Sequence, residues 1–290
     1  MANISGLSNE ILFMILDFIE WDDHLNVLNF CHASSSLLLC TQAFRQKHLD
    51  LLRLFSIITN DGWDWATLLT QCLTQPRTAL YPSLLKIRGL KPAWNDAENH
   101  YALHLKPPQA DLDLFQRNFA NELQMIAKDY IHFKHFLTCG EQGIVKGRED
   151  ALVALLLLIL PNLTEVQYDG YGSMIHACSQ IIPSMSAQQR LKPRNHYLHK
   201  LHSVTIRLSV DNSCEKHELL EKFVQLPSVR RISCENIFTS ESILDSGGPP
   251  SMKHGALDEL SLEHCAFDSK SMFDLLSGIG GELKSFHSRP

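Results

Sequence analysis

Apolar and polar residues alternate along this chain in two distinct rhythms, one helical in the first part and one strand-forming later. At the N-terminus Ile11, Leu12, Ile15, Leu16 and Ile19 recur at i, i+1, i+4, i+5 and i+8. That spacing predicts one face of a helix. Ser8 and Asn9 can cap it, because their side-chain oxygens accept orphan backbone N–H groups. Trp21-Asp22-Asp23 interrupts the pattern, and either aspartate can cap a second helix carrying Leu25, Val27, Leu28 and Cys31. A third apolar segment holds Leu37, Leu38, Leu39, Phe44 and Leu49. Three helices in about fifty residues enclose a thin core. A unit of that kind finishes burying its apolar surface on a partner.

From Asp50 to Gln75 the pattern stays helical through Leu51-Leu52, Leu54-Phe55, Ile57-Ile58, Leu68-Leu69 and Cys72-Leu73. Asn60-Asp61-Gly62 divides it with a turn, and Pro76 ends it. Leu84 to Leu90 reads as a strand closed by Gly89. Lys91 to Pro108 reads as a loop, Asp111 to Leu137 as a helix, and Gly140 to Glu149 as a connector. The run Ala151 to Leu160 reads as a buried helix stopped by Pro161.

From there the chain repeats itself. Leu163-Thr164-Glu165-Val166, Leu201-His202-Ser203-Val204, Val229-Arg230-Arg231-Ile232, Leu257-Asp258-Glu259-Leu260 and Leu283-Lys284-Ser285-Phe286 each place an apolar residue, two mostly polar ones and another apolar residue at the start of a strand. The steps between them are 38, 28, 28 and 26 residues. The last three fall in the leucine-rich-repeat span of about 20–29. The first is longer because Ser184 to Tyr197 reads as an inserted loop. Helical stretches at Ala151–Leu160, His217–Gln225 and Ser269–Ser277 precede three of the strands. Leu160-Pro161-Asn162-Leu163 and Leu226-Pro227-Ser228-Val229 are one helix-to-strand turn used twice. The repeats lack a regular asparagine ladder, with Asn236 and Cys265 as stand-ins after two strands. Each helix–strand unit has an apolar face it cannot bury alone, so neighbours must stack, with parallel strands on one side and helices on the other. No polar cap follows the last strand, Leu283 to His287. A truncated chain or a partner over the edge strand is therefore expected.

The opening residues resemble an F-box. The likeness rests on Leu7-Ser8-Asn9-Glu10-Ile11-Leu12, Ile15-Leu16-Asp17-Phe18-Ile19, Asp22-Asp23-His24-Leu25, Val27-Leu28 and Cys31, and is nearest to fungal F-box proteins. The family usually has Leu-Pro where this chain has Leu7-Ser8, and basic residues where it has His32-Ala33-Ser34. The resemblance implies docking onto the Skp-type adaptor of a cullin–RING (SCF-type) ubiquitin ligase, with Leu7, Ser8, Ile11, Ile15, Leu25 and Leu28 at the adaptor-binding positions. It also implies a C-terminal leucine-rich-repeat-like region. The expected fold is then α/β: a small three-helix F-box in residues 1–50, a helical linker region with a first repeat-like strand in 51–148, and a degenerate, irregular solenoid in 149–290. On this reading the chain is a substrate receptor and not an enzyme. Its strand face, carrying Gln167, Arg207, Ser233 and Glu263, would meet a target protein. The competing expectation is a non-catalytic repeat scaffold whose N-terminal helices only cap the stack and bind no adaptor.

Composition narrows the partners. The 290 residues carry a net charge of −6 and no Lys/Arg-rich run, so neither nucleic acid nor an anionic membrane is expected. Eight cysteines without a CxxC pair suit reduced thiols, and no signal peptide is visible. An intracellular protein of the cytoplasm or nucleus is expected. The ten-residue run from Ala151 is far short of the roughly twenty needed to cross a bilayer.

Fifteen histidines invite metal readings. His132, His135 and Cys139 fall at i, i+3 and i+7, but Phe133 and Phe136 interleave them and a fourth ligand is missing. His196, His199 and His202 run from a loop into a strand, where that period does not hold them on one side. His176–Cys178 and His264–Cys265 lack a nucleophile signature, although a hydrolase using Cys178 or Cys265 is a third reading. Gly247-Gly248-Pro249-Pro250 opens no helix and precedes no Lys-Ser/Thr, so it is no phosphate cradle. No cofactor or metal is expected.

Overall fold

The spine of the molecule is a row of strands. The computed structural model describes residues 4, 7–23, 26–62, 64–90, 108–127, 140, 142–146, 148–170, 178, 181–183, 185–186, 197–208, 217–238, 257–267, 269–279 and 283–289. Within them β1 (Ile57–Thr59), β2 (Leu84–Arg88), β3 (Glu165–Gly170), β4 (Ser203–Leu208), β5 (Arg231–Glu235), β6 (Glu259–Glu263) and β7 (Ser285–Arg289) form one seven-stranded sheet in chain order. Every neighbouring pair is parallel. Sequence order equals spatial order, as it does when units are added in one direction.

The alternation in sequence decides the two faces. Ile58, Leu85, Val166, Val204, Ile232, Leu260 and Phe286 align across the sheet, and all but Phe286 are buried. Ile87, Tyr168, Ile206, Cys234 and Leu262 form a second buried row. Helices cover this side. In α7 (Glu149–Ile159) every residue from Ala151 to Leu158 is buried, as a helix apolar all round requires. The helices α5 (Trp65–Thr74) and α6 (Gln109–Ala127) pack against it. The shorter α8 (His217–Val224) and α9 (Ser269–Gly278) precede β5 and β7.

Two backbone devices repeat along the row. Before each strand from β2 to β7, one carbonyl of the previous unit accepts two successive N–H groups. The acceptors are Ser56, Ser83, Thr164, His202, Arg230 and Asp258, and the donors run from Ser83-Leu84 to Lys284-Ser285. After β2, β5 and β6 the next residue turns left-handed: Gly89 (φ 51°), Asn236 (φ 60°) and His264 (φ 52°). There each N–H donates to a carbonyl at or next to the end of the following strand, on Asp169, Glu263 and Arg289 respectively. Asn236 adds a side-chain rung, its Nδ2 donating to the Leu208 carbonyl at 3.1 Å. Cys265 Sγ accepts from the Ile237 N–H at 3.4 Å. The stand-ins read from the sequence thus form bonds between neighbouring units.

The N-terminal helices are α1 (Asn9–Asp23), α2 (Asn26–His32), α3 (Ser35–Cys40) and α4 (Gln42–Phe55). Leu16, Val27 and Cys31 form a small core of their own, with Ile19, Phe30 and Phe44 against it. The large core under the sheet begins at Phe55. Helix α4 belongs to both, since Phe44 packs on the small core and Leu51 and Leu52 on the large one.

Several expectations are corrected. Ile57-Ile58 is not helical but opens the sheet as β1, where pairing with Leu84 and Leu85 outweighs a short apolar run's local ambiguity. Asp22 and Asp23 do not interrupt the first helix; α1 runs through them. The third apolar segment is two helices, α3 capped by Ser34 Oγ and closed by Thr41, whose hydroxyl donates to the Leu37 carbonyl at 2.6 Å. Helix α4 crosses position 50 unbroken. Part of the expected connector, residues 142–146, is helical. Residues 91–107 of the expected loop, 128–137 of the expected long helix and most of the expected inserted loop lie outside the described residues. No helix among the described residues is long and apolar enough to cross a membrane.

Candidate functional site

Helix α1 has apolar residues on two opposite faces. At 100° per residue, Leu12, Leu16 and Glu20 fall on one line, and all three are buried. Ile11, Met14, Ile15 and Phe18 fall on the other side. Ile11 is 46% exposed, Met14 70% and Phe18 73%, while Ile15 is half-buried. Leu39 on α3 is 75% exposed. Scattered apolar side chains on a surface are ordinary. A second stripe at helical spacing on a helix whose first stripe is already buried is a contiguous patch, the usual mark of an interface.

Of the residues assigned from sequence, Leu7 is half-buried and Ser8 exposed just before α1. The Ser8 hydroxyl bonds the Glu10 carboxyl and holds it below the ordinary carboxylate range. Ile11 and Ile15 belong to the outward stripe, and Leu28 is half-buried on α2. Leu25 lies outside the described residues. The apolar pattern alone does not single out Met14 and Phe18, because Ile11, Leu12, Ile15 and Leu16 merge there into one face. The i, i+3, i+7 spacing of Ile11, Met14 and Phe18 carried the signal.

A polar joint fixes this helix against the strand row. Glu20 of α1, His48 of α4 and Tyr81, just before β2, are all buried. The Tyr81 hydroxyl donates to Glu20 Oε1. His48 Nδ1 lies 2.8 Å from the same hydroxyl and 3.5 Å from Glu20 Oε1. Arg77 Nε is 3.5 Å from Glu20 Oε2, and the guanidinium also pairs with Asp17. Burial pushes the Glu20 carboxyl up, but the bonds to His48 and Tyr81 and the Arg77 charge outweigh it and hold the group below its ordinary range. Burial and the Glu20 carboxylate push the Tyr81 phenol well up. Beside the joint, Phe13 stacks on Phe44 at 6.2 Å, with the Arg77 guanidinium 5.9 Å from the Phe44 ring centre.

The sheet face turned away from the helices is polar. One row across it runs Thr59, Lys86, Gln167, Thr205, Ser233, Ser261 and His287. The next is charged throughout: Arg88 pairs with Asp61 and, at 3.7 Å, Asp169; Arg207 bridges Asp169 at 3.7 Å and Glu235 at 3.3 Å. Glu263 and Arg289 continue that row.

The cysteine candidates are poor nucleophiles. Cys178 is buried, and burial together with the Asp150 charge pushes its thiol well up. Burial also raises Cys265, partly offset by backbone hydrogen bonds. A thiol raised in this way holds less thiolate near neutral pH. His202 Nδ1 lies 3.2 Å from the Lys200 carbonyl. His132, His135, Cys139, His176 and His196 lie outside the described residues, and among the described residues no three metal-binding side chains converge.

No family model, curated protein or solved structure matches the chain.

Proposed function

We propose that the chain is the substrate-recognition subunit of a cullin–RING (SCF-type) ubiquitin ligase. Its N-terminal helices dock a Skp-type adaptor, and through it the cullin scaffold. The polar strand face holds a target protein. The single observation that carries the reading is the outward stripe of α1, Ile11, Met14, Ile15 and Phe18, on a helix already packed on its other side. Burying one such side chain contributes about 1.5–3 kcal/mol before the costs of association. Leu7, Ser8, Leu25 and Leu28 complete the docking positions. The residues from 149 onward are read as degenerate leucine-rich-repeat-like units, supported by the repeated carbonyl at the foot of each strand and by the Asn236 rung. The chain contributes proximity rather than chemistry: it holds a target near transfer machinery on other subunits. Its place of work is the cytoplasm or nucleus.

The Glu20–His48–Tyr81 joint favours a second reading, because it seats α1 and α4 on the strand row as a cap would be seated. Under that reading the chain is a scaffold without adaptor binding. Mixing the full chain with purified Skp-type adaptor separates the two. Co-elution is expected from the wild type and not from the Met14→Asp, Phe18→Asp double variant, in which complex formation would bury two unpaired charges. Both positions are exposed, so the thermal midpoint should hold. A double variant that still co-elutes places the docking face elsewhere. A wild type that never does so favours the scaffold.

A further inference from the structure

We infer that the β1–β2 end of the outward sheet face anchors an extended segment of the target protein carrying an aliphatic side chain and a carboxylate two residues apart. This rests on the proposed function only in taking the occupant to be the target. The surface itself stands apart from α1 and from any adaptor.

Among the described strands the outward positions are polar except for two. Ile57 of β1 and Leu84 of β2 are register partners on that face, and their row continues as Glu165, Ser203, Arg231 and Glu259. Ile57 is 53% exposed and Leu84 half-buried. The core does not call for them, because Ile58, Leu85 and Ile87 already fill the inward side of the same strands. Neighbouring strands lie about 4.8 Å apart, so the two side chains form one seat, wide enough for a single aliphatic group of a partner.

Charge decides what goes with that group. Lys86 is the next outward residue after Leu84, about 6.6 Å further along β2. It is half-buried, and its register partners Thr59 and Gln167 are uncharged. The acids diagonal to it are engaged: Glu165 accepts from Gln167 Nε2 at 2.6 Å, and Asp169 lies 3.7 Å from both Arg88 and Arg207. No ion pair of Lys86 is seen among the described residues. The surface thus offers an apolar seat followed by a cation. An extended chain presents alternate side chains to one side at that same spacing, so an aliphatic residue and an acid two positions apart meet both features. A second copy on the same patch would oppose Lys86 to Lys86, which is unfavourable. The location also suits a target. Helix α4 runs almost directly into β1, and Arg77 and Tyr81, which hold α1, lie just before β2. A segment seated here is at the end of the face nearest the docking helices, where proximity has most effect.

A phage-displayed library of random linear peptides, depleted on Lys86→Glu and then selected on the full wild-type chain, tests this. Survivors are expected to carry Asp or Glu two residues from Leu, Ile, Val or Met. The synthetic peptide of the leading clone should bind the wild type saturably in fluorescence anisotropy. Lys86→Glu and Ile57→Ser should each weaken it about tenfold or more. A version with lysine in place of the acid should recover binding to Lys86→Glu, which also shows that variant to be folded, and a circular-dichroism melt checks Ile57→Ser. The Met14→Asp, Phe18→Asp double variant should bind the peptide like the wild type, so adaptor docking and this anchor can fail separately. No survivors, survivors without that spacing, a charge swap that does not recover, or peptide binding lost with the α1 double variant overturns the inference. So does a wild-type dimer in sedimentation that Ile57→Ser dissolves, which would seat a second copy on the patch.

Discussion

Glu20 is a carboxylate out of water, kept charged by His48, Tyr81 and Arg77. Taking its charge away breaks a buried charged cluster from one side, which is costly. Glu20→Gln is expected to lower unfolding free energy at neutral pH by about 3 kcal/mol, read from urea melts. Its native acidity is held below the ordinary range, so the contribution is complete at neutral pH and disappears as pH falls through the native value. Asp17, Arg77, His48 and Tyr81 are the groups facing it. The wild type should therefore lose stability toward acid more steeply than Glu20→Gln. None of this was legible in sequence, where Glu20 reads as the polar end of an apolar run. Its partner Tyr81 is 61 positions away, and no local pattern ties the two.

Among the elements, the left-handed residues after β2, β5 and β6 divide by chemistry. Glycine occupies that conformation freely, whereas other residues lose roughly 1–2 kcal/mol to it. His264 is exposed there, and no side-chain rung like that of Asn236 is seen for it among the described residues. His264→Gly is thus expected to stabilise by about 1 kcal/mol. Asn236→Ala keeps the strain and loses the bond to the Leu208 carbonyl, for a cost of about 1–2 kcal/mol. Paired thermal melts check both signs. Elements from β2 onward were well marked in sequence, since apolar alternation and the prolines at 161 and 227 are local signals. Ile57-Ile58 was not, because three residues of strand cannot declare a period and only the pairing with Leu84 and Leu85 makes them one. The outward stripe of α1 was half legible. Ile11 and Ile15 were named, but the burial of Leu12 and Leu16 is what separates the two faces.

Taken whole, the molecule has two apolar centres of unequal size joined by one shared helix. The small one rests on Leu16, Val27 and Cys31, while the large one runs from Phe55 to Leu275. Opening free energy scales with buried apolar contact, so the two should open at different rates. Hydrogen exchange is expected to be faster in the amides of α1 and α2 than in those of α7, with α4 graded from its first turn to its last. Uniform protection across all four would show a single cooperative unit. The mixed α/β character and the parallel sheet were readable from residue spacing. The link between the two centres was not, because it depends on how α4 divides its faces between them.

The carbonyl at the foot of each strand belongs to Ser56, Ser83, Thr164, His202, Arg230 and Asp258, six sites with five kinds of side chain. The seam is stitched in peptide groups, which every amino acid carries. Mutation can therefore rewrite most of those positions while the units stay aligned, although Ser83 and Thr164 also donate their hydroxyls to the carbonyls of Ser56 and Ser83. Kinship between such chains would survive in the spacing of their folds long after it had faded from their letters.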